Sequence, residues 1–130
     1  MRGDSILLLH SRHLNKWHLP GGHIHEDESY ETGLKREVEE ETGCKLKFYH
    51  KIKPIRNNIC LYIGKLYTGP IRISDEHTKY VWVPLDEALN LHVCKFTFRD
   101  IRFLQTIMGA VKTSMRVEES EHRDNYTHED

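Results

Sequence analysis

Three carboxylates, Glu37, Glu40 and Glu41, stand at positions i, i+3 and i+4. On a helix this spacing puts all three on one face, within a turn of one another. Like charges so placed oppose helix formation by about 0.2–0.5 kcal/mol per pair. A cation among them reverses that balance, and a hard divalent metal that prefers oxygen ligands is the natural occupant. Mg²⁺ is usually held by one or two carboxylates together with substrate phosphates, and it neutralises charge at a phosphorus under attack by water. The chemistry these residues point to is therefore the binding of a hard divalent cation by carboxylate oxygens.

The elements that must position them are legible from periodicity. Ser29–Thr42 reads as a helix with an apolar stripe at Tyr30, Leu34 and Val38, and Gly43 suits the residue just past its end. Gly33 lies inside it at a cost of about 1 kcal/mol relative to Ala, which close packing against a neighbour would explain. Pro20-Gly21-Gly22 breaks the chain ahead of the helix, and Gly22 is expected to make the tight turn into the site. Ser5–His10 reads as a buried strand and Ser11–Asn15 as a basic turn. After the helix the period changes to two, predicting strands over Leu46–Lys53, Asn58–Tyr67, Ile71–Ile73 and Lys79–Val83. A short helix with Pro84 at its first position follows, then a longer one over Phe98–Met115. The stripe of that last helix is Ile101, Leu104, Met108, Val111 and Met115.

Bulk properties set the class. The chain has 130 residues, enough for one domain with a real core, expected over residues 1–116. From Val117 onward the sequence is polar, acidic and aperiodic, and is expected to be a disordered tail. A formal net charge of −1 gives no bulk attraction to nucleic acid or to a membrane. The run Ile6–Leu9 is too short for a signal peptide or a membrane span. Cys44, Cys60 and Cys94 have no metal-like spacing and read as reduced thiols of a cytoplasmic protein. Ten histidines are scattered, so their number defines no single site.

The stretch from Gly22 to Cys44 also fits a longer pattern. Gly22 is followed after five residues by Glu28, and after seven more by Arg36-Glu37, the apolar Val38, Glu39, Glu40-Glu41, Thr42, Gly43 and the apolar Cys44. This resembles the complete Nudix box of the Nudix (MutT-like) hydrolase family, and Trp17-His18-Leu19-Pro20-Gly21-Gly22 resembles the family's lead-in. The likeness extends more weakly from about Ile6 to Leu91. It implies a Nudix fold, an α+β or α/β sandwich with a mixed sheet between helices. Family members usually have one more strand before the segment at Ser5–His10. That strand is lost here, cut off, or supplied by a partner, and an uncovered edge would invite a homodimer.

The resemblance also implies roles. Glu40 and Glu41 are the first choice of ligands for Mg²⁺, with Mn²⁺ as an alternative, and Glu37 is a third ligand or the general base. Arg36 orients Glu37 or braces the carboxylates; the plainer alternative is an i,i+4 pair with Glu40. Glu28 either complements the helix N-terminus or touches the metal. Glu76, on a loop ahead of Trp82, is the second candidate base, and the plainer alternative is a solvated loop residue. His23, His25, Arg12, His13 and Lys16 are candidate phosphate contacts or ordinary surface charges. Trp17 and Trp82 either stack on a base or belong to the core.

The implied substrate is a nucleoside diphosphate linked to another group. Tyr62 stands eighteen residues past Cys44. In the family, a tyrosine at about that distance is associated with dinucleoside polyphosphate hydrolases. A proline somewhat past the box is associated with ADP-ribose hydrolases, but Pro54 stands only ten residues past Cys44. The pattern favours a dinucleoside polyphosphate with Tyr62 stacked on a base, against simple packing of a strand tyrosine. Rivals are oxidised nucleoside triphosphates, then nucleotide sugars and capped RNA 5′ ends. A different class, a nucleotide-sensing module that does not hydrolyse, would be expected to lose box carboxylates, and this chain keeps them.

Overall fold

The computed structural model describes residues 1–22, 24–56, 59–67 and 70–109. The fully apolar run after Ser5 makes strand β1, Ser5–Ser11, buried on both faces through Ile6, Leu7, Leu8 and Leu9. It is the middle strand of a three-stranded antiparallel sheet. The two-residue strand β2, Trp17–His18, lies on one side and β5, His77–Pro84, on the other. Leu9 faces His18, Leu7 faces Trp82, and a register shift at His10/Ser11 brings Ser11 opposite His77.

The helix α1, Tyr30–Thr42, begins where Ser29 accepts a hydrogen bond from the Thr32 amide and ends at Gly43 in the left-handed conformation. Close packing accounts for Gly33, because a Cβ there would lie 2.5 Å from Ile24 Cδ1. Strands β3, Lys45–Arg56, and β4, Ile59–Tyr67, form a separate antiparallel hairpin with three register irregularities. A 3-10 helix over Leu85–Asn90 and a helix α2 over residues 95–109 complete the described chain. The core joins Ile6 and Leu8 of β1 to Leu61, Leu85, Ala88, and Ile101 and Leu104 of α2, with Met108 against its edge. None of the helices among the described residues is long and apolar enough to cross a membrane.

Several sequence expectations need correction. Residues 71–73 form no strand: Pro70 has no amide to donate, and the Arg72 amide is taken by the Thr42 carbonyl at 2.7 Å, so this segment seals the end of α1. Strand β2 was not expected at all; it is too short to show periodicity. Pro84 closes β5 and precedes the 3-10 helix instead of opening it. The mixed character of the sheet is reduced, among the described residues, to a single parallel bridge between Trp17 and Val93 beside antiparallel ladders. Ahead of β1, Arg2 bridges to Ser5, and the Met1 amino group donates to the Gly64 carbonyl of β4. Val111, Met115 and the expected tail lie outside the described residues. Cys44 and Cys94 are thiols, Cys44 Sγ donating to the Pro70 carbonyl and Cys94 Sγ to Thr97 Oγ1.

Candidate active site

Arg36 is the organising cation of the box. Its Nη2 and Nε donate side-on to Glu28, at 2.7 Å to Oε1 and 3.2 Å to Oε2. Its Nη1 donates to Glu37 Oε1 at 3.0 Å and to both oxygens of Glu40 at 3.3 Å. Arg36 thus contacts both Glu40, its i,i+4 neighbour, and Glu37. Glu28 serves as the far anchor of this fork. It also accepts from the His25 amide at 2.8 Å, and these bonds, Arg36 first, hold its carboxyl down at about 2. The same bonds raise the already high pKa of Arg36 further, with the Glu28 contact dominant.

Glu41 and Glu40 are sequence neighbours in opposite environments. The Glu40 side chain is 58% exposed, whereas Glu41 as a residue is only 7% exposed. Glu41 Oε1 accepts from the Gly21 amide at 2.7 Å. Burial nevertheless pushes its carboxyl up to about 8, reinforced by the nearby charges of Glu37, Glu76 and Glu40 and opposed by the Gly21 bond. The three box carboxylates and Glu76 thus act on one another electrostatically, although Glu76 is far along the chain.

The glycines divide their work differently from the sequence expectation. Gly21, not Gly22, takes the positive φ, +147°. Gly22 gives clearance: a Cβ there would lie 2.5 Å from Glu37 Oε2 and would displace that carboxylate. Glu76 is exposed on the turn before β5, and Arg12 grips that turn. The Arg12 amide donates to the Glu76 carbonyl and its Nε donates to the Asp75 carbonyl, each at 2.9 Å. Tyr62 lies half-buried on β4 opposite Lys51. His23 lies outside the described residues, and His25 is an exposed residue with Nδ1 3.8 Å from Glu28. Trp17 packs against the core and edge-on to His10, and Trp82 lies under the Arg2 guanidinium.

Two residues the sequence reading did not single out complete the site. His18 of β2 and His77 at the start of β5 meet Nε2 to Nε2 at 2.8 Å. His77 is 4% exposed, and its Nε2 lies 3.8 Å from Glu41 Oε2. His18 Nδ1 donates to the Leu19 carbonyl at 2.8 Å, so its Nε2 is the acceptor. His77 then donates from Nε2 and accepts at Nδ1 from Ser74 Oγ, 3.0 Å away. Burial, and then His18, lower the His77 pKa, with Glu76 opposing them. The β1 pairing, the Trp17 amide on the His92 carbonyl and the Leu19 amide on Thr97 Oγ1 hold the His18 strand in place. Fifty-nine residues separate the two histidines, so no local spacing could have joined them. With Glu41 they form a group able to hold a metal ion.

A NUDIX domain model matches residues 1–106. The chain belongs to the Nudix family. Its α+β architecture is the Nudix fold. The MutT protein of Methanosarcina mazei Go1 superposes with a TM-score of 0.56 at 28% identity, covering 81% of this chain and 86% of that one. The 8-oxo-dGTP diphosphatase of Buchnera aphidicola subsp. Schizaphis graminum is 37% identical over 78 residues, or 57% of this chain. This chain spans 60% of that relative's length. The asymmetrical bis(5'-nucleosyl)-tetraphosphatase of Rattus norvegicus is 35% identical over 102 residues, covering 68% of this chain and 69% of the relative.

Proposed function

We propose that this Nudix chain is a divalent-metal-dependent hydrolase that cleaves a pyrophosphate bond in a nucleoside diphosphate linked to another group. The observation that carries the reading is the convergence of the box carboxylates: Glu41 is 7% exposed, Arg36 holds Glu37 and Glu40 beside it, and burial with these neighbouring charges pushes the Glu41 carboxyl up. A cation placed there would offset this charge, and the hard oxygen donors fit Mg²⁺ or Mn²⁺. Glu37, Glu40 and Glu41 would hold the ion. When bound, it supplies charge neutralisation and polarises phosphoryl oxygens.

The chain's own residues do the rest. Arg36 holds Glu37 and Glu40 in register, and Gly22 leaves room for Glu37 Oε2 against the loop. Glu37 takes the proton from the attacking water, and Glu76, presented by the Arg12-gripped turn, is the alternative base. Glu37→Gln should lower kcat by about 10²–10⁴ if it is the base, with a much smaller loss for Glu76→Gln. The reverse order would move the role to Glu76.

For substrate we favour a dinucleoside polyphosphate. The position of Tyr62 past the box supports this, as does the likeness to the rat tetraphosphatase over 68% of the chain. The second reading is a nucleoside triphosphate, favoured by the likeness to the diphosphatase. Comparing kcat/KM for diadenosine tetraphosphate, 8-oxo-dGTP and ADP-ribose, with and without Mg²⁺, decides between them. A preference for the triphosphate that Tyr62→Ala leaves unchanged would remove the dinucleotide reading. No Mg²⁺-dependent turnover on any of them would remove the hydrolase reading.

A further inference from the structure

We propose that His18, His77 and Glu41 form a second metal site, sharing Glu41 with the carboxylate cluster beside it and selective for a borderline transition-metal ion such as Zn²⁺ or Co²⁺. One ligand atom from each of the three residues lies within 4.8 Å of the others. They come from three elements, β2, β5 and α1, so the arrangement belongs to the folded protein and not to a flexible local segment. Two imidazole nitrogens and one carboxylate oxygen make a ligand set that Zn²⁺ uses with a fourth position left for water. Mg²⁺ selects against it, because hard cations take oxygen ligands.

The outer nitrogens support the assignment. Metal-binding histidines almost always donate their other ring N–H to a carbonyl, carboxylate or water, which turns the ligating nitrogen inward. His18 already does so: its Nδ1 donates to the Leu19 carbonyl and its Nε2 lone pair points at His77. His77 has Ser74 Oγ at Nδ1, a hydroxyl that can accept as well as donate. Binding needs the Glu41 carboxyl to release its proton to solvent and one proton to move on His77, from Nε2 to Nδ1, whereupon Nδ1 donates to Ser74 and Nε2 becomes a ligand. The ring keeps its neutral charge through this change. The Nε2 atoms must also part from 2.8 Å to about 3.3 Å, the separation of two ligands about 2.05 Å from a tetrahedral ion. Without a metal the two nitrogens share a single proton, so one hydrogen bond is what the pair gives up.

This inference does not rest on the hydrolase reading, and its test uses no substrate. The full chain, stripped with chelator, is titrated with Co²⁺ at neutral pH in excess Mg²⁺, following the visible d–d absorption of the ion. One equivalent with the intense bands of a four-coordinate nitrogen–oxygen site is expected. His18→Gln and His77→Gln should each weaken binding by about 100-fold or more and remove the bands. Ser74→Ala, which leaves all three ligands, should weaken it by about tenfold. His13→Gln, an exposed histidine outside the group, should match the parent. Circular dichroism establishes that each variant is folded; if the histidine variants do not fold, Ser74→Ala against His13→Gln carries the decision. The proposal is overturned if Co²⁺ gives no such bands in the presence of Mg²⁺. It is equally overturned if the bands survive the histidine substitutions, or if His13→Gln weakens binding as much as Ser74→Ala.

Discussion

The box region and the β3–β4 hairpin are built from opposite charges and handle them in opposite ways. Residues 26–41 carry Glu26, Asp27, Glu28, Glu31, Glu37, Glu39, Glu40 and Glu41. Residues 45–72 carry Lys45, Lys47, Lys51, Lys53, Arg56, Lys65 and Arg72, and no acidic residue. In the box, like charges converge on a partly buried point and a single guanidinium ties three of them together. In the hairpin, cations are spread along the strands, and Lys47 stands opposite Lys65 on an exposed surface. Convergence with burial raises a pKa and shapes a site, whereas dispersal into solvent leaves repulsion that water and salt screen.

The strongest way to break the contrast is to remove a box carboxylate. Glu40→Gln or Glu41→Gln should cut turnover by about 10²-fold or more, since each keeps volume and loses a hard anionic ligand. Glu41→Gln should at the same time raise the melting temperature without metal. Turnover and melting curves with and without Mg²⁺ check both effects; parent-like turnover would exclude these ligands.

Next in size is Arg36→Ala. It frees Glu28, Glu37 and Glu40 together, so activity should fall by about 10–100-fold, in line with losing a residue that orients metal ligands. Arg36→Lys should recover little, because one ammonium cannot reproduce the side-on fork to Glu28. Steady-state kinetics at saturating Mg²⁺ distinguish this from simple loss of metal affinity.

A smaller effect lies in the pH dependence of the metal-free protein. The folded-state pKa of Glu41, about 8, is above the ordinary carboxylate value, so the folded chain holds a proton that the unfolded chain releases. That contribution is complete below about 4.5 and is lost as pH rises through about 8. The melting temperature should therefore decline over this window. Glu41→Gln should flatten the decline, and Mg²⁺ should oppose it by stabilising the ionised carboxylate. A melting temperature that rises across the window in the parent would contradict this account of Glu41.

The smallest effect is expected in the hairpin. Lys65→Glu converts a like-charge cross-strand pair with Lys47 into an attractive one, worth about 0.2–1 kcal/mol. Thermal denaturation should show a gain of a degree or so that salt diminishes, with kcat unchanged. A large loss of activity would mean the cations of the hairpin serve the site after all.

The same contrast explains how much of the molecule was legible in its residues. The box helix was readable to within one residue, because its caps, stripe and carboxylate spacing are local signals. The buried run of β1 was equally plain. His18 and His77 were not, since their meeting depends on strand register across the sheet, and single histidines in a chain with ten carry no spacing to match. Gly22 was assigned a turn when its role is clearance for Glu37, a distinction that only the packed neighbour reveals. Residues 71–73 look like a strand by composition but give their backbone bond to the end of α1.

The joining of residues 18, 41 and 77 has a kinetic consequence. Loops of more than twenty and more than thirty residues must close before these side chains can meet, and such closures come late relative to local helix formation. The metal-binding geometry is therefore finished only when β2, α1 and β5 have docked. During refolding, helical signal should appear ahead of high-affinity metal uptake. Any ion added before that point meets only the solvent-facing carboxylates of an incomplete pocket.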